Sequence, residues 1–203
     1  MYKRQSGFTL VEIAIVLVII GLLLGGVLKG QEMIANARYK SLQSDIEAYK
    51  AAFFAFQDRF GALPGDFTLA STRLNAAAPN GSAADVGNIT GATCSAATDE
   101  SCYVWQHLRF ANLISGAPTL TSTNANPTHA YGSTMDGMFT ATINGRAGVW
   151  LSVEGVPADA AARYDRELDD GVGNTGLVNC NTGCAAGVYP LNTNNISLRV
   201  NIM

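Results

Sequence analysis

Glu12 is the residue whose position most needs a chemical explanation. It shares the apolar run from Phe8 to Leu28 with only one other polar side chain, Thr9. A carboxylate buried without a partner in a membrane costs about 2 to 3 kcal/mol or more. Its chemistry would be electrostatic, because a carboxylate can neutralise a nearby cation in a low-dielectric setting, or favour the positive end of a helix.

Four cysteines could form disulfides or hold a metal. They are Cys94, Cys102, Cys180 and Cys184. Local pairing, Cys94 with Cys102 and Cys180 with Cys184, is the simplest of three connectivities and would close two short loops. A four-cysteine zinc site is the alternative, but the separations within the two pairs are poor for one.

Acidic residues cluster before Gly171. Their spacing is not that of an EF-hand loop, which needs ligands at alternate positions and a late glutamate. Asp165, Asp169 and Asp170 nevertheless raise the question of a metal ion, with helix capping and surface solvation as the alternative. Apart from such a metal, we expect no cofactor.

The remaining residues do not indicate a catalyst. The two histidines, His107 and His129, do not form a metal-binding pair, and no serine or cysteine lies in a recognisable nucleophile motif. We therefore do not expect an enzyme. The chain has 16 acidic against 13 basic residues, and this net charge of -3 does not favour binding to nucleic acid.

The N-terminal apolar run is long enough to cross a membrane. As a helix, residues 8–28 would span about 31 Å, the thickness of a bilayer core. Lys3 and Arg4 precede the run, which predicts that this end is cytoplasmic and that the remainder lies outside. An ordinary cleaved signal peptide would have a shorter run, and a permanent signal anchor would leave Glu12 without a partner.

The string Gly7-Phe8-Thr9-Leu10-Val11-Glu12, followed by an apolar helix, resembles the processing site of type IV pilins and type II secretion pseudopilins. The resemblance extends to about Gln31. It implies that a membrane peptidase cuts between Gly7 and Phe8, and that the new N-terminal residue is methylated while the helix stays on the product. It also implies that the amine of Phe8 lies beside Glu12 of a neighbouring subunit in a filament.

Glycine spacing in the apolar run favours close approach between helices. Gly21 with Gly25, and Gly26 with Gly30, form two small-xxx-small pairs, although glycine is also common in membrane helices.

Many pilins carry a proline about where Lys29 stands, and this chain has none between residues 1 and 63. This stretch therefore lacks the proline that would favour local melting of the helix on assembly.

The chain beyond Lys29 is amphipathic. Apolar residues at alternating steps of three and four predict one buried helical stripe, which we interpret as packing against a sheet rather than as a cofactor pocket. The helix should end at Gly61, before Pro64-Gly65. The stripe consists of Tyr39, Leu42, Ile46, Tyr49, Phe53, Phe56 and Phe60.

Helix and strand patterns follow in the remainder. We predict one helix in CYVWQHLRFANLIS and another from near Pro157 to Gly171. GMFTATI and AGVWLSVE flank Asn144-Gly145 and predict a hairpin, and NISLRVNIM predicts a strand with one buried face.

These patterns predict an α+β, pilin-like fold with a long N-terminal helix packed on a small antiparallel sheet. The first half of that helix would be membrane-embedded. The expected segments are a leader (1–7), a transmembrane and filament-core helix (8–30), its amphipathic continuation (31–60) and a globular head (61–203).

The function expected from the resemblance is that of a structural subunit of a type IV pilus or related filament. A type II secretion pseudopilin is one alternative, and a minor or tip pilin whose head binds a surface, another pilin or DNA is another. Some secretion pseudopilins bind calcium near their C-terminal loops, so the resemblance makes Asp165, Asp169 and Asp170 candidate calcium ligands. The implied partners are other pilins, the prepilin peptidase and methyltransferase, and an inner-membrane assembly platform. The precursor would lie in the bacterial inner membrane with its head in the periplasm, before entering a periplasmic or extracellular filament.

Overall fold

The computed structural model describes residues 9–82, 87–94, 98–118, 126–190, 193 and 195–203. The chain forms two compact units, residues 1–40 and 41–203.

One helix, α1, runs from Leu10 to Phe60 and contributes to both units. No proline interrupts its 51 residues. It ends where Gly61 adopts a φ of +69°, while the Gly61 N–H still donates to the carbonyl of Gln57 at 2.8 Å. The predicted long helix and its glycine end are therefore confirmed. Among the described residues, α1 is the helix long and apolar enough to cross a membrane.

The elements that follow α1 are, in chain order, α2 (Ala70–Arg73), α3 (Glu100–Phe110), β1 (Met135–Ile143), β2 (Arg146–Val156), α4 (Ala158–Leu168), β3 (Val178–Thr182) and β4 (Ile196–Asn201). The four strands form one sheet with the order β1-β2-β4-β3, in which every neighbouring pair is antiparallel. Asn144 and Gly145 both have positive φ values, 53° and 74°, as a two-residue hairpin between β1 and β2 requires.

The core of this unit combines the stripe of α1 with apolar residues of α3 and the sheet. Phe53 and Phe56 are fully buried, and Phe60 at the end of the stripe is only half-buried. The predicted buried face of the last strand is confirmed by Ile196, Leu198, Val200 and Ile202. The architecture is thus the predicted α+β, pilin-like one.

Some boundaries and elements differ from the prediction. α3 starts at Glu100 and ends at Phe110, because Asn112 takes a left-handed conformation with φ 56° that the helix cannot continue through. β3 was not predicted, and neither was the single turn α2. α4 stops at Leu168, a few residues before Gly171.

Candidate functional site

Glu12 lies in the first turn of α1, where Thr9 holds it in place. The backbone N–H of Thr9 donates to Glu12 Oε2 at 2.8 Å, and Thr9 Oγ1 donates to the same oxygen at 2.7 Å. The N–H of Glu12 in turn donates to Thr9 Oγ1 at 3.3 Å. This is a capping box, in which two otherwise unsatisfied N–H groups of a helix start are bonded reciprocally.

The side chains around Glu12 are apolar and exposed. Leu10, Val11 and Ile13 have exposed fractions of 90%, 66% and 46%. The same exposure continues through the apolar half of α1, whose most apolar window has no buried residue. An exposed apolar surface of this size is typical of a segment that contacts lipid or a protein partner. Gly7 and Phe8, the predicted processing residues, lie outside the described residues.

The four glycines of α1 leave its backbone open. A Cβ added at Gly21, Gly25, Gly26 or Gly30 would meet nothing within 4 Å. None of these glycines is therefore needed for a close contact within the single chain. They are places where the backbone of another helix can approach.

The four cysteines form two disulfides, Cys94–Cys102 and Cys180–Cys184. Cys94 also donates its N–H to the carbonyl of Asp136 at 3.0 Å, so the first disulfide links α3 to a segment that runs beside β1. The second closes a short loop at the end of β3. With all four sulfurs in disulfides, no thiolate is left for the alternative zinc site.

The structure brings the three candidate calcium ligands together. One carboxylate oxygen from each of Asp165, Asp169 and Asp170 lies within 4.8 Å of the others. Asp165 is fully buried, and its burial raises the pKa of its carboxyl. Asp165 Oδ2 accepts a hydrogen bond from the Tyr189 hydroxyl at 2.8 Å, whereas its Oδ1 has no hydrogen-bond partner among the described residues.

The other two carboxylates also support the chain that follows α4. Asp169 accepts a hydrogen bond from the N–H of Leu177. Asp170 accepts from the N–H of Val172 at 2.9 Å and from Thr175 Oγ1 at 2.5 Å, and these bonds lower the pKa of its carboxyl. An all-oxygen donor set with one buried unbonded acceptor fits the preference of a hard cation. The hydrogen bonds to Asp169 and Asp170 also shape residues 169–177, and this structural role needs no cation.

The two histidines hold loops by means of neutral rings. His107 is fully buried, accepts the Gly65 N–H at Nδ1 (2.9 Å) and donates from Nε2 to the Pro79 carbonyl (2.7 Å). Burial lowers the pKa of His107 to about 4. His129 donates from Nε2 to the Glu154 carbonyl at 2.7 Å, and burial lowers its pKa as well.

The roles of Thr9 and of the two histidines were not predicted from the sequence. The Thr-x-x-Glu spacing of Thr9 and Glu12 was a sufficient signal for the capping box. Nothing local to His107 or His129 indicates which distant carbonyl each ring reaches.

Comparison with known families gives one finding at the N-terminus. Residues 2–28 match the family described as the prokaryotic N-terminal methylation motif, which is the prepilin-type signal of type IV pilins and pseudopilins. This confirms the resemblance drawn from Gly7 to Glu12. The motif belongs to structural subunits rather than to an enzyme family. No match to the chain was found among curated proteins or solved structures.

Proposed function

We propose that this chain is a structural subunit of a type IV pilus or a related filament, processed after Gly7 and assembled through the apolar half of α1. The methylation motif at residues 2–28 carries the proposal. The exposed apolar surface of α1 supports it, because a filament core of packed helices would cover that surface after the subunit leaves the membrane.

In the proposed filament, Glu12 pairs with the N-terminal amine of Phe8 in a neighbouring copy. Cleavage creates that positive charge, and a carboxylate neutralises it strongly in a setting from which water is excluded. Thr9 supports this role by fixing the carboxylate at the helix start. Gly21, Gly25, Gly26 and Gly30 would let neighbouring α1 helices approach closely.

The proposed life cycle follows from the segments of the chain. Residues 1–7 are the leader, residues 8–30 the membrane and filament-core helix, residues 31–60 its continuation and residues 61–203 the head. The motif and the apolar helix are consistent with a precursor anchored in the inner membrane. The head would lie in the periplasm until the assembly platform adds the subunit to a periplasmic or extracellular filament.

A type II secretion pseudopilin is the second candidate, and the acidic cluster favours it. Some pseudopilins bind calcium near their C-terminal loops, and Asp165, Asp169 and Asp170 lie close enough to share one cation. A calcium ion there would neutralise three neighbouring carboxylates and would join the end of α4 to the segment that follows. Calcium binding thus bears on the choice between the two filament types.

Replacing Gly7 with leucine tests the processing step. The precursor should keep residues 1–7, which intact-mass measurement detects, and filaments should be lost because the Phe8 amine is never released. Gln5→Leu is the control, since it changes the leader two residues before the cut and should leave cleavage intact. Normal leader removal from the Gly7→Leu chain would contradict the proposal.

A further inference from the structure

A basic surface lies at the C-terminal end of α1, and we call it the arginine patch: Arg59, Arg73 and the half-buried ring of Phe60. The guanidinium carbon of Arg59 lies 5.1 Å from the centre of the Phe60 ring, and that of Arg73 lies 5.9 Å from it. Arg73 also lies 5.8 Å from the ring of Phe67. Contacts of this kind hold a cation in place without neutralising it.

The two arginines have no carboxylate partner among the described residues. Arg59 donates to the carbonyl of Ala111 at 3.3 Å, and Arg73 reaches the carbonyl of Phe60 at 3.5 Å. Both side chains are exposed, and each guanidinium has five N–H donors. The patch therefore has positive charge and donors left for a partner from outside the chain.

An acidic surface lies farther back on α1, where it meets α4. We call it the acidic crevice: Glu47 and Glu167, with Gln43, Tyr164 and Leu168 lining the same depression. Glu47 is exposed and forms no ion pair among the described residues. Glu167 is also exposed, and it bonds Arg163 at 2.8 Å from the α4 side. An arginine at the rim of this depression would face Glu47 from α1 and, from α4, Glu167 beside its partner Arg163.

The arginine patch and the acidic crevice cannot meet within one chain. Glu47 and Arg59 are 12 positions apart on one continuous helix, a rise of about 18 Å. Two copies displaced along α1 can bring them together. When the copies are parallel and displaced along α1, each contact leaves one patch and one crevice free at the two ends, so the contact can repeat along an open chain of subunits.

We propose that the arginine patch of one copy docks against the rim of the acidic crevice of a second copy, and that this contact sets how heads stack along the filament. The inference rests on the proposed function. The two surfaces have opposite charge, and charge complementarity of this kind fixes the register between partners and disfavours wrong ones. The chain is acidic overall, and Arg59 and Arg73 place two positive charges beside one ring, so the arginine patch is opposite in charge to the molecule as a whole.

Charge exchange in the full chain tests the contact. Arg59→Glu with Arg73→Glu should lower filament yield about tenfold, and Glu47→Arg with Glu167→Arg should do the same, because each places like charges face to face. The chain with all four substitutions should recover most of the yield. Arg146→Glu and Asp159→Arg are matched controls on exposed residues outside both surfaces, and should assemble normally.

Cross-linking gives a second readout that does not depend on yield. Cells would produce one copy with Glu47→Cys and another with Arg59→Cys, and a short thiol-specific linker should join them into a mixed dimer. Normal assembly of the Arg59→Glu, Arg73→Glu variant would overturn the inference. So would failure of the four-fold variant to recover, or absence of the mixed dimer. The proposed function fails separately, if the wild-type chain is not cleaved or forms no filament.

Discussion

Thr9 and Glu12 fix each other at the start of α1: two hydrogen bonds from Thr9 converge on Glu12 Oε2, and the Glu12 N–H returns to Thr9 Oγ1. The carboxylate proposed to neutralise a neighbouring subunit is therefore held by its own chain. Its position is set before any partner arrives.

Removing the hydroxyl of Thr9 should loosen the first turn of α1. Thr9→Val deletes a helix-capping interaction that stabilises by about 1 kcal/mol, which corresponds to about fivefold in an opening equilibrium. Amide hydrogen exchange of the detergent-solubilised full chain should show faster exchange at Glu12. Thr9→Ser keeps the hydroxyl and should match the wild type, and equal protection in Thr9→Val would show that the cap is not formed.

Acid should destabilise the head through His107. The pKa of His107 in the folded chain is about 4, below the unfolded value of about 6.5. Folding therefore favours the neutral ring, and this stabilisation is complete above about pH 6.5 and is lost as the pH falls through the window to about 4. The loss is on the order of 3 kcal/mol.

Urea unfolding of the full chain in detergent, followed by the fluorescence of the buried Trp105 and Trp150, measures this effect. His107→Gln should be less stable at pH 7 and should show a smaller change between pH 4.5 and pH 7. His129→Gln is the control that keeps the His107 contribution. An unchanged pH dependence in His107→Gln would mean that its ring does not hold Gly65 and Pro79 as described.

The two disulfides should differ in their contribution to stability. Closing loops of these lengths is worth about 2.5 kcal/mol for Cys94–Cys102 and about 2 kcal/mol for Cys180–Cys184 from chain entropy. Cys94 and Cys102 are also buried, with exposed fractions of 2% and 1%. Replacing that pair with alanine should therefore lower the free energy of unfolding more than replacing the second pair. The reverse order in urea unfolding would contradict this packing argument.

Calcium should stabilise the head if the acidic cluster binds it. Calcium at 100 times its Kd adds about 2.7 kcal/mol, which for a chain of this size raises Tm by about 5 to 10 °C. Asp165→Asn keeps an acceptor for Tyr189 but removes one charge, so the rise should shrink sharply. Asp159→Asn, an exposed residue on the same helix, should retain it. The same Tm for the wild type in calcium and in chelator would show that the acidic cluster does not bind calcium.

The sequence predicted those elements that depend on local pattern. The repeat from Leu42 to Phe56 predicts one face of a helix, and Asn144-Gly145 predicts a hairpin whatever surrounds it. β3 could not be read in this way, because Val178–Thr182 is mostly polar and becomes a strand only by pairing with β4.

The same distinction applies to the candidate sites. Glu12 was identifiable from its place in an apolar run, and its bond to Thr9 could have been read from their spacing. The roles of His107 and His129 depend on loops that return from far along the chain. The crevice between Glu47 and Glu167 exists only because α4 folds back onto α1.

The role of Glu12 in assembly is tested by comparing filament yield for Glu12→Ala with that for Glu32→Ala, which changes an exposed glutamate farther along α1 that pairs with Lys29. Leader removal should be verified in both by intact mass. Glu12→Ala should be cleaved yet lose filaments by at least about tenfold, because the neighbouring amine stays unneutralised. Glu32→Ala should assemble normally. Wild-type filament yield from the cleaved Glu12→Ala chain would show that Glu12 is not needed to neutralise a neighbouring subunit.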